Sequence, residues 1–195
     1  ITGYVGTINY SGLETINSDT TGNSLTVTTT SVDDTLVVTP YGGNAGTLQN
    51  NGVAPVVNYT SVAGNTVNVN LAGGKDRLVV NGTALADNIS VDVPASTVNT
   101  GANGGIVVYS NNEAVAVNGL EGADAFTVVT GAIPVFVDGG SPTGTLPGDS
   151  ITINLSAAAA VVADTGPESD EGAFTVGANA PVSYDRIESA TVTGV

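Results

Sequence analysis

The stretch Asn65–Val93, NTVNVNLAGGKDRLVVNGTALADNISVDV, decides the fold. Three small acceptor side chains, Asn65, Asp76 and Asp87, follow one another at a spacing of 11 residues. Two residues after each of them begins a short run in which apolar side chains alternate with others, and these runs are Val67–Val69, Leu78–Val80 and Ile89–Val91. Alternation with a period of two predicts a strand with one buried face. The intervening Gly, Asn, Asp and Ala residues predict turns.

The same pattern recurs along the chain. Leu25–Pro40 aligns without a gap on Leu78–Val93, at an offset of 53 residues. A tyrosine six to eight residues before the first run marks each repeat, and these tyrosines are Tyr10, Tyr59, Tyr109 and Tyr184. Two independent markers predict internal repeats at about 8–56, 57–106 and 107–181, with 182–195 beginning a fourth. Because the end of the sequence resembles its start and no Met is present, we expect a segment of a longer array.

Composition bounds the classes of fold and function. The abundance of Val and Thr, with 26 glycines, predicts an all-β protein. The net charge of −15, from 18 acids and three bases, argues against nucleic-acid binding, which needs Lys and Arg, and no apolar run is long enough for membrane insertion. The absence of Cys and His argues against zinc, haem and iron–sulfur sites, cysteine nucleophiles and Ser–His triads.

Two architectures fit this strand pattern. A strand of about five residues with a turn of about six suits a parallel β-solenoid, in which each coil buries its faces against its neighbours. The alternative is two tandem antiparallel Ig-like β-sandwich modules, because short strands with a turn every 8–12 residues also describe that class. The gapless repeat favours the solenoid.

Two passages resemble a known family of repeats. Residues 12–27, GLETINSDTTGNSLTV, and 73–91, GGKDRLVVNGTALADNISV, are similar to haemolysin-type (RTX-like) repeats, and more so to the degenerate repeats of large bacterial, planctomycete-like surface proteins. The resemblance implies an extracellular β-solenoid with a structural role, often calcium-dependent. The chain departs from the family in lacking the tandem GGxGxDxUx repeat, and its nearest match, Gly73–Leu78, carries two cations.

The acids that precede the predicted strands have two interpretations. Asp side chains stabilise turns by accepting hydrogen bonds from nearby backbone N–H groups. They also ligate Ca²⁺, which takes six to eight oxygens. The candidate calcium ligands are Asp33, Asp34, Asp87, Asp124 and Asp149, with Asp170 and Glu171 in an acidic loop. No catalytic residue is predicted.

We therefore expect an extracellular structural protein that forms or supports a surface layer (S-layer), a filament or an adhesin stalk. Its partners would be further copies or neighbouring repeats, since an unpaired strand edge is a template for pairing. The alternative is a calcium-dependent carbohydrate-binding or adhesion module whose glycan site lies on the loops Gly139–Gly148 and Pro167–Gly172. A polysaccharide-degrading enzyme ranks below both, because Trp is absent, cations are scarce and no carboxylate pair stands out. We therefore expect no enzymatic activity.

Overall fold

The computed structural model describes residues 12–53, 55–144, 146–155 and 159–194. The described residues form 18 strands and a single 3-10 turn at Ala63–Asn65. The strands are β1 Thr15–Asp19, β2 Leu25–Thr28, β3 Thr35–Pro40, β4 Gly46–Asn50, β5 Val56–Thr60, β6 Thr66–Asn70, β7 Arg77–Asn81, β8 Asn88–Asp92, β9 Thr97–Asn99, β10 Ile106–Ser110, β11 Ala114–Asn118, β12 Ala125–Val129, β13 Val135–Asp138, β14 Ser150–Asn154, β15 Val161–Thr165, β16 Gly172–Val176, β17 Val182–Asp185 and β18 Ser189–Thr193. The three runs of the stretch Asn65–Val93 are β6, β7 and β8.

The strands form two sheets, and the chain passes from one to the other as it winds. The first sheet has ten strands in the order β1-β5-β4-β3-β7-β11-β13-β17-β16-β15. The second has eight strands in the order β18-β14-β12-β8-β9-β10-β6-β2. Strands of successive coils pair in parallel, as β7 pairs with β11 and β8 with β12. The predicted parallel β-solenoid is therefore confirmed, in preference to tandem sandwiches.

Every second side chain along a strand points between the two sheets and fills the space there. In β3 the side chains of Leu36 and Val38 are buried, while that of Val37 between them is half-buried. The parallel register stacks each inward position on its equivalent in the next coil, so that Leu36 lies beside Leu78 and Leu78 beside Val115. The result is one continuous apolar core of columns of Val, Leu, Ile and Phe. This is how the period of two in the sequence becomes burial of apolar area.

Three antiparallel meanders interrupt the winding, and the sequence analysis did not predict them. They are β3-β4-β5 and β15-β16-β17 in the first sheet and β8-β9-β10 in the second. In each, the chain returns so that the third strand pairs in parallel with a strand of an earlier coil: β5 with β1, β10 with β6 and β17 with β13.

The tyrosines that mark the repeats lie on these returning strands. Tyr59 is in β5, Tyr109 in β10 and Tyr184 in β17, whereas Tyr10 lies outside the described residues. In two meanders the tyrosine lies opposite a glycine of the middle strand, Gly46 or Gly172. A Cβ on Gly46 would overlap the Tyr59 ring and hydroxyl. The tyrosine therefore fills the space that the glycine leaves in the antiparallel pair.

Candidate functional site

The most distinctive feature of the interior is a set of acidic side chains at the entrance to the parallel strands. Each lies immediately before a strand, so parallel stacking brings them into two columns. The first acid ladder comprises Asp34, Asp76 and Glu113, before β3, β7 and β11. The second acid ladder comprises Asp87, Asp124, Asp149 and Glu188, before β8, β12, β14 and β18. The five aspartates are all buried.

Each ladder is held together by one repeated hydrogen bond. The backbone N–H of one acid donates to the carboxylate of the acid in the next coil. Asp34 donates to Asp76 Oδ1 at 2.8 Å, Asp87 to Asp124 Oδ1 at 2.7 Å, and Asp124 to Asp149 Oδ1 at 2.6 Å. A hydrogen bond to a charged acceptor contributes roughly 1.5–3 kcal/mol. The acids therefore join coils that are distant in sequence.

The first acid of each ladder has hydrogen-bond donors for both carboxylate oxygens. Thr30 donates its N–H and hydroxyl to Asp34 Oδ2, at 2.8 and 2.6 Å. Thr83 does the same for Asp87 Oδ2, at 2.6 and 2.9 Å. The hydrogen bond from the Thr30 side chain holds the pKa of Asp34 well below its ordinary value, against the desolvation that raises it.

The other oxygen of each first acid, Oδ1, accepts hydrogen bonds from side chains of an inserted meander. The amides of Asn50 and Asn51 donate to Asp34 Oδ1, at 2.8 and 2.7 Å. The amide of Asn103 donates to Asp87 Oδ1 at 3.0 Å. For the first acid of each ladder, the donors to Oδ1 are therefore side-chain amides of a meander. For the next aspartates of each ladder, the donor to Oδ1 is the backbone N–H of the preceding acid.

Asp76 and Asp124 lack the threonine, whereas Thr145, four residues before Asp149, lies outside the described residues. Ala72 and Leu120 occupy the positions four residues before Asp76 and Asp124 that Thr30 and Thr83 occupy before their aspartates. Among the described residues, no hydrogen-bond donor reaches the buried Oδ2 of Asp76, Asp124 or Asp149. Desolvation raises the pKa of Asp124 to about 6 and also raises the pKa of Asp149.

Two glycines allow these unpaired oxygens to approach the backbone. A Cβ on Gly119 would overlap both Asp124 Oδ2 and the carbonyl oxygen of Gly139. A Cβ on Gly139 would overlap the carbonyl oxygen of Arg186 and lie 2.6 Å from Asp149 Oδ2. Each Oδ2 therefore lies next to a carbonyl oxygen of the following coil, and only glycine leaves room for that approach.

A glutamate ends each ladder. Its longer side chain accepts the N–H of the last aspartate, from Asp76 to Glu113 Oε2 and from Asp149 to Glu188 Oε2, both at 2.6 Å. Its own N–H donates to the backbone carbonyl of that aspartate, at 3.0 Å in both ladders. Because the N–H of the glutamate already donates to this carbonyl, it does not donate to the carboxylate of a further acid, and the series of bonds between acids ends there.

The predicted calcium ligands lie in four places. Asp34 belongs to the first ladder, and Asp87, Asp124 and Asp149 follow one another in the second. The Asp33 carboxylate accepts the N–H of Lys75 at 2.8 Å from the next coil. Asp170 and Glu171 lie in the turn between β15 and β16, where the backbone carbonyl of Asp170 accepts the N–H of Ile187, next to the ladder residue Glu188.

Within the part of the chain that the structure describes, no three acidic side chains are grouped so that they could hold a metal ion. A bound calcium ion therefore stays a prediction. The turn interpretation finds partial support, because the Asp34 and Asp87 side chains accept local N–H groups, but those groups are four residues earlier in the chain.

The sequence analysis named neither the threonine donors nor the terminal glutamates. Three passages carry the signal: TTSVDD at 29–34, GTALAD at 82–87 and GTLPGD at 144–149 each place a threonine four residues before the acid, although Thr145 lies outside the described residues. Glu113 and Glu188 stand in the position of the aspartate before a strand, which in retrospect identifies them as ladder members.

The loop Gly139–Gly148 borders a shallow polar hollow of about 340 Å³, lined among others by Asn118, Thr143 and Arg186. Arg186 lies at its rim, and its Nε donates to Asp138 Oδ1 at 2.8 Å. The Asp138 carboxylate therefore already engages this cation. This hollow adjoins one of the two loops, Gly139–Gly148 and Pro167–Gly172, on which the sequence analysis places a glycan site.

Comparison with known families, curated proteins and solved structures finds no match to this chain. In the described residues, no helix is both long and apolar enough to cross a membrane. The five ladder aspartates are buried and accept backbone N–H groups, an arrangement that suits them to joining coils and not to contact with a substrate.

Proposed function

We propose that this chain is a structural β-solenoid segment of an extracellular, cell-surface protein, which builds a surface layer, filament or adhesin stalk by stacking coil on coil. The observation that carries the proposal is the pair of acid ladders. They add hydrogen bonds between coils to the pairing of the strands, over sequence separations of 25 to 42 residues. Such bonds resist separation of coils along the axis, which is the demand on a stalk or layer.

The edge of the second sheet supports self-association. β18 pairs with β14 on one side, and all five of its residues are exposed. Val192 lies in register with the buried Ile153 yet is 38% exposed. An apolar residue at an inward position of an edge strand can be buried by a further coil that pairs with that strand, either from the same chain or from another copy.

The test is association measured by sedimentation velocity over a range of protein concentrations, with negative-stain imaging of the same samples. The variant Val192→Asp places a charge at the inward position of β18. We expect it to weaken association at least tenfold. The matched control is Val53→Asp, which adds the same charge at a turn residue that is 61% exposed.

A wild-type chain that stays monomeric at high concentration would contradict self-association. Equal effects of the two variants would contradict the role of β18. The alternative function, a calcium-dependent carbohydrate-binding module, is tested with the same protein on a glycan array with Ca²⁺ and with chelator. Calcium-dependent hits that Thr143→Asp abolishes would favour that alternative, because Thr143 lines the hollow at Gly139–Gly148.

A further inference from the structure

We propose that a second copy of this chain stacks end to end on the first, so that its β1 and β2 extend the two sheets beyond β15 and β18. This inference rests on the self-association proposed above, and it specifies the partner, the two surfaces and their register. One end of the solenoid then meets the other end of the next copy. Such a heterologous contact repeats from copy to copy and builds a filament, whereas a contact of one surface with itself closes a dimer.

The first argument is the direction of the outermost strands. Among the described residues, β1 and β15 are the edge strands of the first sheet, and β2 and β18 are those of the second. Each meander contains two antiparallel pairs, which together restore the strand direction. Since all other pairs are parallel, β15 runs in the same direction as β1, and β18 in the same direction as β2. Both sheets can therefore continue into the next copy by parallel pairing.

The meanders fix the register of the contact in the first sheet. The meander β15-β16-β17 repeats the pairing of β3-β4-β5, and in it Val161 takes the place of Leu36. In the next coil Leu36 lies beside Leu78, which is the second residue of β7. The second residue of β1 is Ile16. The same register therefore places Val161 of one copy beside Ile16 of the next.

The second argument is the incomplete burial of apolar side chains at both ends. Strands within the solenoid bury their inward side chains, as Leu78 and Val80 of β7 do. The inward apolar positions of the four edge strands are half-buried or exposed, and these are Ile16, Leu25, Val27, Val161, Ala190 and Val192. Stacking brings β18 against β2, with each inward residue of one strand beside its equivalent in the other. The contact thus buries the apolar core at both ends at once.

The third argument is Glu14, which stands immediately before β1 as Glu113 stands before β11 and Glu188 before β18. Glu113 and Glu188 accept a backbone N–H from an aspartate of the preceding coil and donate their own N–H to its carbonyl. The carbonyl of Glu14 accepts the N–H of Val56 from the following coil. On the opposite side of β1, among the described residues, no strand pairs with it. Glu14 therefore has the position of a ladder end that awaits a preceding coil.

The stacked copy supplies a donor for Glu14. Ala159 stands two residues before Val161, just as Asp34 stands two residues before Leu36. Ala159 is exposed, and in the stack its backbone N–H meets the Glu14 carboxylate. Within the chain, the N–H of each ladder aspartate likewise donates to the acid of the following coil. The contact between copies thus has the same polarity as the ladders.

Cysteine crosslinking tests which strands meet, because the chain contains no Cys of its own. Thr191 of β18 and Thr26 of β2 are exposed, and each lies between the two inward residues of its strand. In the stack they lie side by side, within the Cα separation that a disulfide spans. A mixture of Thr191→Cys and Thr26→Cys is therefore expected to form a disulfide-linked heterodimer on mild oxidation. Thr28→Cys, also exposed in β2, is the control for register and is expected to crosslink at least roughly tenfold more slowly.

A complementation experiment tests whether the two ends are different surfaces. Val192→Asp blocks the end that carries β18. Thr15→Pro blocks the end that carries β1, because it removes an N–H that in the equivalent residues Ala114 and Ser189 donates to the preceding coil. Each variant alone is expected to stay monomeric where wild type associates, and an equal mixture is expected to form dimers. Sedimentation velocity at raised ionic strength measures this, since a net charge of −15 on each copy opposes association.

Substitution of Glu14 tests its role in the contact. Glu14→Ala removes the carboxylate that accepts the N–H of the other copy, and we expect it to weaken association roughly tenfold. The control is Glu121→Ala, which removes the same charge from an exposed loop. Because it only lowers the repulsion between copies, it is expected to leave association unchanged or slightly stronger. Equal effects of the two variants would contradict the bond to Glu14.

Two results would overturn the end-to-end contact and leave self-association intact. The first is a disulfide-linked homodimer of Thr191→Cys alone, which would mean that β18 meets β18. The second is association of Thr15→Pro equal to that of wild type, with no gain when it is mixed with Val192→Asp. If circular dichroism shows that Thr15→Pro does not fold, the cysteine variants decide, since their positions are exposed. A wild-type chain that stays monomeric at raised ionic strength would overturn this contact and the proposed self-association together.

Discussion

Asp34 and Asp124 occupy the same position in two coils, immediately before a strand, and both are buried, yet their surroundings are opposite. Four hydrogen bonds from side chains and backbone reach the Asp34 carboxylate, two of them from Thr30. Asp124 accepts one hydrogen bond, from the N–H of Asp87, and its other oxygen lies beside a carbonyl. Accordingly, the pKa of Asp34 is lowered and that of Asp124 is raised to about 6.

The difference depends on a few neighbouring residues, and not on burial or fold. A threonine four residues before the acid supplies two donors, and an inserted meander supplies the amides. Where Leu120 replaces the threonine, the same backbone path leaves the carboxyl half-satisfied. A repeat can therefore keep its architecture while the pKa of a buried acid is shifted in the opposite direction, because hydrogen bonding lowers that pKa and desolvation raises it.

The largest expected effect comes from closing the space beside Asp124. Gly119→Ala places a methyl group against Asp124 Oδ2 and the carbonyl of Gly139, so a coil must shift. We expect a loss of about 3 kcal/mol in the free energy of unfolding, measured by urea denaturation. The control is Gly73→Ala in the loop before Asp76, where a Cβ meets nothing within 4 Å. Equal effects of the two substitutions would contradict the close approach at Gly119.

A smaller effect is expected from removing a donor to Asp34. Thr30→Val keeps the shape of the side chain but deletes the hydroxyl that donates to Oδ2 at 2.6 Å. We expect a loss of about 1.5 kcal/mol at pH 7. Because the lowered pKa of Asp34 contributes stability above about 3.8 that is lost as the pH falls, this penalty is expected to shrink in acid. Thr26→Val, at an exposed position of β2, is the control.

Substitution of a meander asparagine tests the same contrast between the ladder acids, with a smaller expected loss of stability. Asn103→Ala deletes the donor to Asp87 Oδ1 but leaves both bonds from Thr83 in place. We expect a loss of about 1 kcal/mol in thermal or urea unfolding. Asn58→Ala removes an exposed amide bond to Asn17 and is expected to cost less. If Asn58→Ala cost as much as Asn103→Ala, the meander amide would have no special role at the buried acid.

The strands and their inward faces could be predicted from local pattern, because alternation with a period of two directly specifies which side chains are buried. The meanders could not, since β3, β4 and β5 have the same alternation whether they pair in parallel or antiparallel. The tyrosines were visible as markers, but their place on the returning strands depends on pairing between residues such as Gly46 and Tyr59. The acids were correctly expected at strand starts. The hydrogen bonds from one ladder acid to the next join residues at least 25 positions apart, which no local pattern specifies.

The smallest expected effect is at the end of the second ladder. Glu188 accepts the N–H groups of Asp149 and Gly144 through its two carboxylate oxygens, at 2.6 and 2.7 Å, and its charge helps to raise the pKa of Asp149. Glu188→Gln removes that charge but leaves an amide oxygen for Asp149, so we expect a loss below about 1 kcal/mol at pH 7. With less repulsion, the pKa of Asp149 falls toward its ordinary value, and stability is lost at a lower pH as the solution is made more basic. Stability curves against pH, compared with those of Glu171→Gln in the β15–β16 turn, measure that displacement. A displacement to higher pH would contradict the repulsion between Glu188 and Asp149.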